Sequence, residues 1–502
     1  MIRTLHSRIA TIIALFVSLF ITLPNLWGDE NVRKTEMRGV WIATVAGIDW
    51  PLTRDNTYQQ KQDLINILDS LKACNINTVA FQVRPTADAF YQSALEPWSN
   101  YLTGKQGKAP SPFYDPLDFI ITEAHKRCME VHVWMNPYRV INGGTVESLC
   151  QNHLYFERPE LFAWYGGKLY FNPAYQDVRD YLTMIVMDIV LRYDLDAIHF
   201  DDYFYPYKEK GEEFPDEKAY EELGGRFATK DEWRRNNVDL VIEQLQHTIK
   251  AARPWVQFGI SPFGNNNTNY NELYADLTKW IKNGWIDYVL PQLYWNIGHK
   301  TADYSTLYDW WSKECVNTNN RIPCNFYVGQ YASGLEIYTQ TAWKEPNELA
   351  RQLKQNYDKG NDKGSFFYSN KYFMKNPQGL LDTLRQQYYR YPALQPACPN
   401  MGGEASAAPS NVRVENGYLR WDAVNEKDGK CVRYYVVYAI PSFSKEEQLL
   451  PRRIVTTTAN PTGNLYLEDY RKAIPAGSRL VVTSFNRYRY ESEASDWVFA
   501  EY

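Results

Sequence analysis

The feature that most constrains the fold of this chain is an alternation of short apolar runs and amphipathic helical stretches between residues 36 and 394. Eight of the apolar runs have the length and the β-branched or aromatic content of buried strands. Eight strand–helix units are the number that closes a (β/α)8 TIM barrel, an α/β fold whose helices cover a parallel sheet. The predicted strands are Gly39–Val45, Thr78–Pro85, Val131–Arg139, Ala197–Tyr203, Phe258–Phe263, Tyr288–Trp295, Pro323–Gln330 and Gly364–Ser369.

The pattern changes after the barrel. Residues 395–410 are rich in Pro, Ala, Gly and Ser, a composition typical of a linker. Residues 411–502 contain short alternating strands, which predict a small all-β sandwich. With Trp421 near its start, a strand at Tyr434–Tyr438 and a late strand at Val481–Asn486, this module resembles a fibronectin type III domain. We expect it to space or dock the barrel rather than to carry chemistry.

The first 28 residues have the pattern of an export signal. Arg3 and Arg8 precede an apolar run from Ile9 to Leu23, after which the sequence becomes polar. Because this run is near the lower length limit for a membrane span, a cleaved signal peptide and an uncleaved N-terminal anchor both remain open. Either interpretation predicts an exported protein that is periplasmic or associated with the cell envelope. The oligomeric state stays open.

The balance of charge argues against a nucleic-acid partner. Lys and Arg number 54 against 59 Asp and Glu, and no long basic run occurs. The electrostatic footprint of nucleic-acid binding is therefore missing. An aromatic fraction of 15%, with 39 Tyr and 16 Trp, suits either stacking on sugar rings or an aromatic core. The seven cysteines show no CxxC or Cys/His spacing, so neither a structural zinc site nor any cofactor is expected.

The alternation of side chains along each strand predicts which residues face the barrel interior. In the fourth strand Ile198 and Phe200 form the apolar, outward set, so His199, Asp201 and Tyr203 should point inward. Asp202 has the opposite direction, which makes Asp201 the better candidate for the reacting carboxylate and Asp202 its support. The same test on the other strands directs inward Gln82, Arg84, His132, Trp134, Asn136, Tyr138, Ser261, Gln292 and Tyr294.

Six segments along the barrel resemble, in order, those of the glycosyl hydrolase-like 10 family. The resemblance implies a barrel glycosidase of bacterial envelopes, with peptidoglycan glycan strands as the substrate. The segments are Met37–Thr44 with Asp49-Trp50-Pro51, Gln82–Pro85, Trp134–Arg139, His199–Pro206, Asp231–Asn237 and Pro291–Trp295.

We therefore interpret Asp201 and Asp202 as the catalytic pair, acting on a glycan partner. Arg84 could equally be the partner of a structural ion pair inside the barrel or, placed beside Asp201, keep that carboxylate ionised. Glycoside hydrolysis normally needs a second carboxyl group as acid or base, and Asp49 and Asp88 are the preferred candidates for it. Glu336 and the acidic loop that follows the fourth strand are weaker candidates. The residues predicted to bind the sugar are Trp41, Arg84, Asn136, Tyr138, His199, Tyr203, Gln292, Tyr294 and Trp295, with Trp134 as a further stacking surface.

Two other functions stay open at this point. The scarcity of carboxylates at the strand ends is compatible with a carbohydrate-binding protein that does not turn over its ligand. Asp201, Asp202 and His199 could alternatively ligate a metal. The stretch Asp196–Tyr203 is also similar to the fourth-strand signature of the family 18 chitinases, but Tyr203 stands where those enzymes have their catalytic glutamate. Their N-acetyl-assisted mechanism is therefore not carried over.

Overall fold

The computed structural model of the protein describes residues 32–316, 323–344, 348–442 and 449–500. The predicted signal peptide or anchor, residues 1–28, lies outside these ranges. Within them, no helix combines the length and the apolar character that a membrane span requires.

The first part of the chain is a parallel barrel, as predicted. The strands in this part of the chain, in order, are β1 (Met37–Ile42), β2 (Thr78–Arg84), β3 (Glu130–Met135), β4 (Arg139–Ile141), β5 (Phe162–Tyr165), β6 (Lys168–Phe171), β7 (Ala197–Phe200), β8 (Gln257–Ile260), β9 (Tyr288–Val289), β10 (Asn325–Phe326), β11 (Val328–Gln330) and β12 (Gly364–Phe367). Strands β10 and β11 are two pieces of the seventh barrel strand, one paired with each neighbour. Met37 pairs with Gly364 and closes the barrel. Strands β4, β5 and β6 form a separate antiparallel sheet in the connection after β3.

The helices lie between the barrel strands. They are α1 (Thr57–Lys72), α2 (Asn100–Thr103), α3 (Pro116–Lys126), α4 (Gln176–Arg192), α5 (Glu217–Leu223), α6 (Lys230–Ala252), α7 (Asn266–Asn271), α8 (Leu277–Asn283), α9 (Tyr304–Val316), α10 (Gly334–Ile337), α11 (Thr341–Lys344), α12 (Glu348–Lys359), α13 (Asn370–Phe373) and α14 (Leu380–Thr383). Helix α1 illustrates how they form. The Asn56 side chain caps its first turn by accepting from the backbone N–H of Gln59, and Leu64, Leu68 and Leu71 place an apolar stripe on one face.

Several barrel strands end earlier than the apolar runs predict. The fourth was expected to reach Tyr203 and ends at Phe200, and the third was expected to reach Arg139 and ends at Met135. Beyond these points the backbone leaves the sheet, so strand alternation no longer sets the side-chain direction. The opposite directions that strand alternation gives Asp201 and Asp202 therefore do not apply: Asp202, which lies where the strand ends, turns into the barrel mouth together with Asp201.

Inside the barrel, four hydrogen bonds connect five buried side chains along the axis. The indole Nε1 of Trp41 donates to His199 Nε2 at 3.1 Å, which leaves His199 Nδ1 to donate to the Tyr288 hydroxyl at 2.9 Å. The Tyr288 hydroxyl then donates to His132 Nδ1 at 2.9 Å, and His132 Nε2 donates to Glu130 at 3.2 Å. We call this series the axial chain. It fixes the tautomer of both histidines.

Gly259 makes room for the axial chain. It lies in β8, between His199 in β7 and Tyr288 in β9. A Cβ atom at this position would lie 2.0 Å from the Tyr288 ring. Only glycine therefore lets that ring cross the middle strand and reach His199.

The C-terminal domain consists of two antiparallel sheets. Its strands are β13 (Ser410–Glu415), β14 (Tyr418–Asp422), β15 (Val432–Ile440), β16 (Ile454–Thr458), β17 (Gly463–Tyr466), β18 (Arg479–Asn486) and β19 (Val498–Phe499). Trp421 and Leu419 of one sheet pack on Tyr435, Val437 and Val482 of the other. The predicted all-β sandwich is confirmed, while its likeness to a fibronectin type III domain stays a prediction.

This domain packs against the N-terminal ends of the barrel strands. Arg489 is buried and forms an ion pair with Glu130 at 2.8 Å, and it also donates to the backbone carbonyl of Asp196 at 3.1 Å. Arg433 lies 3.0 Å from the Asp196 carboxylate. The connecting segment 395–410 begins in contact with the barrel, because Gln395 is buried and donates to the Asn77 carbonyl at 2.9 Å. The Arg489–Glu130 pair extends the axial chain into the second domain.

We expect Tyr288→Phe to lower the free energy of unfolding by about 2–4 kcal/mol, because it leaves the Nδ1 atoms of two buried histidines without a partner. Urea unfolding followed by tryptophan fluorescence measures the loss. Tyr138→Phe is the matched control, since the Tyr138 hydroxyl is buried and has no hydrogen-bond partner among the described residues. Equal losses in the two variants would contradict a stabilising role for the axial chain.

Candidate active site

A cavity of about 470 Å³ opens at the C-terminal ends of the barrel strands. This is the end at which TIM barrels carry their active sites. Its lining is rich in aromatic side chains and carries two carboxylates and one guanidinium. The lining residues are Trp41, Val45, Ile48, Gln82, Trp134, Arg139, Asn142, Asp201, Asp202, Tyr203, Tyr207, Ser261, Phe263, Gln292, Tyr294, Tyr331 and Tyr368.

Asp201 is buried and accepts hydrogen bonds from N–H groups only. The Trp134 indole donates to its Oδ2 at 3.1 Å. The Asn136 amide donates to its Oδ1 at 3.2 Å, and the Tyr203 backbone N–H donates to the same oxygen at 3.3 Å. None of these three groups can accept a proton in return. These hydrogen bonds lower the pKa of Asp201, in opposition to its burial.

Asp202 lines the same cavity and has a different set of partners. The Tyr207 hydroxyl donates to its Oδ2, and the Gln292 amide donates to its Oδ1 at 3.1 Å. Gln292 is itself fixed by a second hydrogen bond, to the Ser261 carbonyl at 3.1 Å. A hydroxyl can accept as well as donate, so Tyr207 can also stabilise a protonated Asp202.

The loop that carries Tyr207 is anchored from helix α6. Arg234 forms a two-pronged ion pair with buried Asp216, at 2.7 and 2.8 Å. Asn237 on the same helix donates to the Tyr205 hydroxyl at 3.4 Å. The motif Asp231–Asn237 thus positions the loop after β7 without entering the cavity. The other acidic residues of the loop, such as Glu209, are exposed, as their interpretation as a solvated face predicts.

The two carboxyls hold their protons unusually strongly. Burial raises the pKa of both Asp201 and Asp202, and the charge of Asp202 raises the pKa of Asp201 further. The positive charge of Arg139 acts in the opposite direction on both. Two buried carboxyls side by side disfavour the doubly ionised state, so the pair retains one proton to a higher pH than an ordinary aspartate does.

Arg139 takes the place that was predicted for Arg84. Its Nε donates to the Pro85 carbonyl at 3.1 Å, and its guanidinium lies over the Tyr203 ring, 5.0 Å from the centroid. Among the described residues, no carboxylate lies within ion-pair distance of it. Arg84 is instead fully buried outside the cavity, in a two-pronged ion pair with Glu96 at 2.6 and 2.7 Å.

The predicted partner carboxylates lie outside the cavity lining. Asp49 accepts from the backbone N–H groups of Ala43 and Lys371 and from the Ser369 hydroxyl, all within 2.8 Å, so it joins the loop after β1 to the loop after β12. Burial raises the pKa of Asp49 to about 6.

Asp88 is buried between Thr86 and Gln106, and burial raises its pKa to about 7. Glu336 is exposed and pairs with Lys375 at 2.7 Å. The carboxylates of the cavity lining, within the described residues, are Asp201 and Asp202. Neither Asp49 nor Asp88 is positioned as their acid/base partner.

The remaining predicted sugar-binding residues divide into two groups. Trp41, Tyr203, Gln292 and Tyr294 line the cavity, and Asn136 contacts it through Asp201. Three others are corrections, as follows.

His199 is fully buried below the cavity with both ring nitrogens bonded inside the protein, so it contacts neither sugar nor metal. Tyr138 is buried outside the lining, and Trp295 packs behind Phe263 with ring centroids 5.2 Å apart. In the described part of the chain, no group of three or more His, Cys, Asp or Glu side chains could hold a metal ion.

Sequence reasoning missed several lining residues. Arg139 is the first residue of β4, beyond the strand whose alternation was used, although it closes the quoted segment Trp134–Arg139. Tyr207 lies just after the quoted segment His199–Pro206. Nothing in the sequence marked Asn142, Phe263, Tyr331 or Tyr368.

Tyr331 and Tyr368 complete an aromatic wall around Tyr294. The rings of Tyr294 and Tyr331 stack with centroids 4.5 Å apart, and Tyr368 lies 6.0 Å from Tyr294. Flat aromatic faces with polar edges suit the alternating apolar and hydroxylated faces of a sugar ring. The cavity thus offers an acid–base pair on one side and a stacking wall on the other.

The chain is similar to known glycosyl hydrolases. The model of the family described as "Glycosyl hydrolase-like 10" matches residues 36–344. The chain is 41% identical over 456 residues to glycosyl hydrolase YngK of Bacillus subtilis (strain 168), covering 86% of this chain and 88% of that protein. It is 38% identical over 324 residues to glycosyl hydrolase DigH of Escherichia coli (strain K12), covering 58% of this chain and 72% of that protein.

Among solved structures, the PgaB (BpsB) glycoside hydrolase domain from Bordetella bronchiseptica aligns with a TM-score of 0.45 and 12% identity, covering 70% of this chain and 99% of that one. The family match extends over more than half of the sequence, and the relatives are named glycosyl hydrolases. The chain is therefore a glycosidase that belongs to the glycosyl hydrolase-like 10 family.

Proposed function

We propose that the protein hydrolyses the amino-sugar strands of peptidoglycan after their stem peptides have been removed, and that it does so in the cell envelope. The observation that carries the proposal is the free guanidinium of Arg139 in the cavity of the Asp201–Asp202 pair. The family resemblance of the quoted segments supports the same substrate class.

Arg139 is suited to a substrate that carries a carboxylate. A guanidinium can bind a carboxylate through two parallel hydrogen bonds, and its Nε already holds the group in place through Pro85. In peptidoglycan, the lactyl ether of every muramic acid ends in a carboxylate once the stem peptide is gone. While the peptide is attached, the same carbon is an amide without charge. Arg139 therefore favours strands freed of their peptides.

The hydrogen-bond partners assign different roles to the two aspartates. Asp201 is surrounded by three donors and carries the negative charge that stabilises the positively charged, oxocarbenium-like transition state. The pair shares one proton, and we assign its donation to the oxygen of the leaving sugar to Asp202, because the Tyr207 hydroxyl can accept from a protonated Asp202. With Asp202 as the acid, Asp201 either attacks the sugar carbon itself or takes the proton of an attacking water, the two roles that the second carboxylate has in glycosidases.

Asn substitutions separate these roles. We expect Asp201→Asn and Asp202→Asn each to lower kcat on peptide-free glycan strands by about 10²–10⁴-fold. An aryl glycoside whose leaving group needs no protonation should restore much of the rate to Asp202→Asn and none to Asp201→Asn. Reducing ends released per unit time measure the rates.

Asp88→Asn is the matched control, because Asp88 is equally buried but lies outside the cavity. Its kcat should stay close to that of the wild type. Full activity of Asp201→Asn on glycan strands would show that Asp201 is not part of the chemistry.

The shared proton also sets the pH dependence. Because the pKa of both carboxyls is raised, the protonated acid persists well above the pH of about 4 at which a free aspartate ionises. We expect kcat/KM to fall as the pH rises through the raised pKa of the pair, and to fall again in acid when both carboxyls are protonated. A pH–rate profile checks this. A rate that stays constant across the alkaline limb would contradict proton donation by the pair.

Arg139→Met tests the recognition of the carboxylate. Wild-type protein should cleave peptide-free strands faster than strands whose lactyl carboxyls have been reduced to alcohols, and the variant should cleave both at similar rates. The expected loss of preference is about 10–100-fold, the effect of one hydrogen-bonded charge pair. The alkaline limb of the variant should move to higher pH, because the charge of Arg139 lowers the pKa of both aspartates. Arg139→Lys should keep part of the preference. An unchanged preference in Arg139→Met would refute this assignment.

A further inference from the structure

A second concavity of about 490 Å³ lies beside the active-site cavity. Its walls come from helix α7, from the loop before helix α9 and from the first half of α9. These elements follow the C-terminal ends of β8 and β9, so the concavity opens on the same face of the barrel as the active site. We call it the asparagine groove. Its lining residues are Asn265, Asn266, Asn267, Tyr270, Asn271, Thr301, Thr306, Leu307 and Trp310.

The two walls of the groove are joined to each other. Buried Trp311 on α9 donates from its Nε1 to the Gly264 carbonyl at 2.7 Å, just before α7. A Cβ atom on Gly264 would lie 2.3 Å from the Gln292 carbonyl oxygen, so only glycine allows this close approach. Trp311 thus fixes the turn of helix on which Trp310 is presented, half-buried, to the groove. The shape of the groove is therefore held by specific contacts between its two walls.

The chemistry of the groove suits an uncharged sugar. Its lining carries no ionisable acid or base apart from the phenol of Tyr270, although 23% of the chain's residues are charged. Its amide and hydroxyl groups can hydrogen-bond sugar hydroxyls and N-acetyl groups, and the Trp310 ring can stack on a sugar ring. The Tyr270 ring is covered by the Arg235 guanidinium, which lies 4.1 Å from its centroid. The Oδ1 of Asn266 is buried and has no hydrogen-bond partner among the described residues. Phosphates and acidic peptides would need cations that this lining lacks.

The groove continues the active-site cavity. Phe263 lines the cavity, and Asn265, two residues later, lines the groove. Trp295 lies between the two, with its ring 5.2 Å from that of Phe263 and 6.5 Å from that of His299. Thr301, at the other side of this loop, belongs to the groove. The ring contacts of Trp295 with Phe263 and His299 thus connect the lining of the cavity to the loop that carries Thr301.

We propose that the asparagine groove binds the neutral N-acetylated units of the glycan strand whose next units occupy the active-site cavity. The inference rests on the proposed function, because it takes the same strand as its ligand. Trp310 provides the stacking surface. The groove makes the enzyme favour long strands over short ones.

Trp310→Ala tests the groove. On long peptide-free strands its KM should rise about tenfold with kcat unchanged, the loss typical of truncating a tryptophan at the centre of a binding surface. On a tetrasaccharide, the short substrate of the comparison, both constants should match the wild type. Trp497→Ala is the matched control, because Trp497 is a tryptophan of the C-terminal domain with 52% of its surface exposed. This variant should keep the wild-type KM and kcat on both substrates.

The outcomes separate the two proposals. If the wild type cleaves long strands and Trp310→Ala has the same KM for them, the groove does not bind the strand and the proposed function stands. If Trp310→Ala raises the KM for the tetrasaccharide as much as the KM for long strands, the substitution acts on the cavity and the groove proposal fails. If the wild type cleaves neither substrate, the proposed function fails, and the ligand assigned to the groove fails with it.

Discussion

The axial chain is the interaction on which the rest of the structure depends. It starts at Trp41, whose indole lines the active-site cavity, and it passes through the barrel to Glu130 at the opposite end. There the ion pair between Glu130 and Arg489 connects the axial chain to the C-terminal domain. Because the indole can only donate, every later hydrogen bond has a fixed direction. Burial lowers the pKa of His199 strongly, so the neutral form that this direction requires is maintained.

Strand and helix periodicity could predict the barrel and the sandwich because both depend on which faces are apolar. The outward direction of Ile198 and Phe200 is confirmed by their burial against the surrounding helices. The inward direction of His199 and His132 is confirmed too. Strand alternation, however, could not show how far below the cavity an inward residue lies. Both histidines lie below the substrate level, where they complete the core instead of contacting sugar. The early strand ends could not be foreseen, because apolar residues continue past them.

The site itself was only partly predictable for the same reason. Asp201 and Asp202 stand where the sequence placed them, at the end of the fourth strand, but their contacts come from residues in other connections. Arg139 enters the cavity after the chain has left β3 and begun β4. Tyr207 does so from a loop whose anchor, Arg234, lies on a helix farther along the chain. No local pattern encodes such meetings, since they follow from the packing of elements that are distant in sequence.

The closure of the barrel has a consequence for the order in which the protein becomes functional. Met37 of the first strand pairs with Gly364 of the last, and Asp49 binds the loop at Ser369 and Lys371. The Glu130 end of the axial chain gains its ion pair only when Arg489 has been synthesised. During synthesis, the active-site cavity therefore stays open on one side until β12 has left the ribosome. The ion pair between Arg489 and Glu130 forms later still. The glycosidase thus acquires a complete active site only near the completion of its chain.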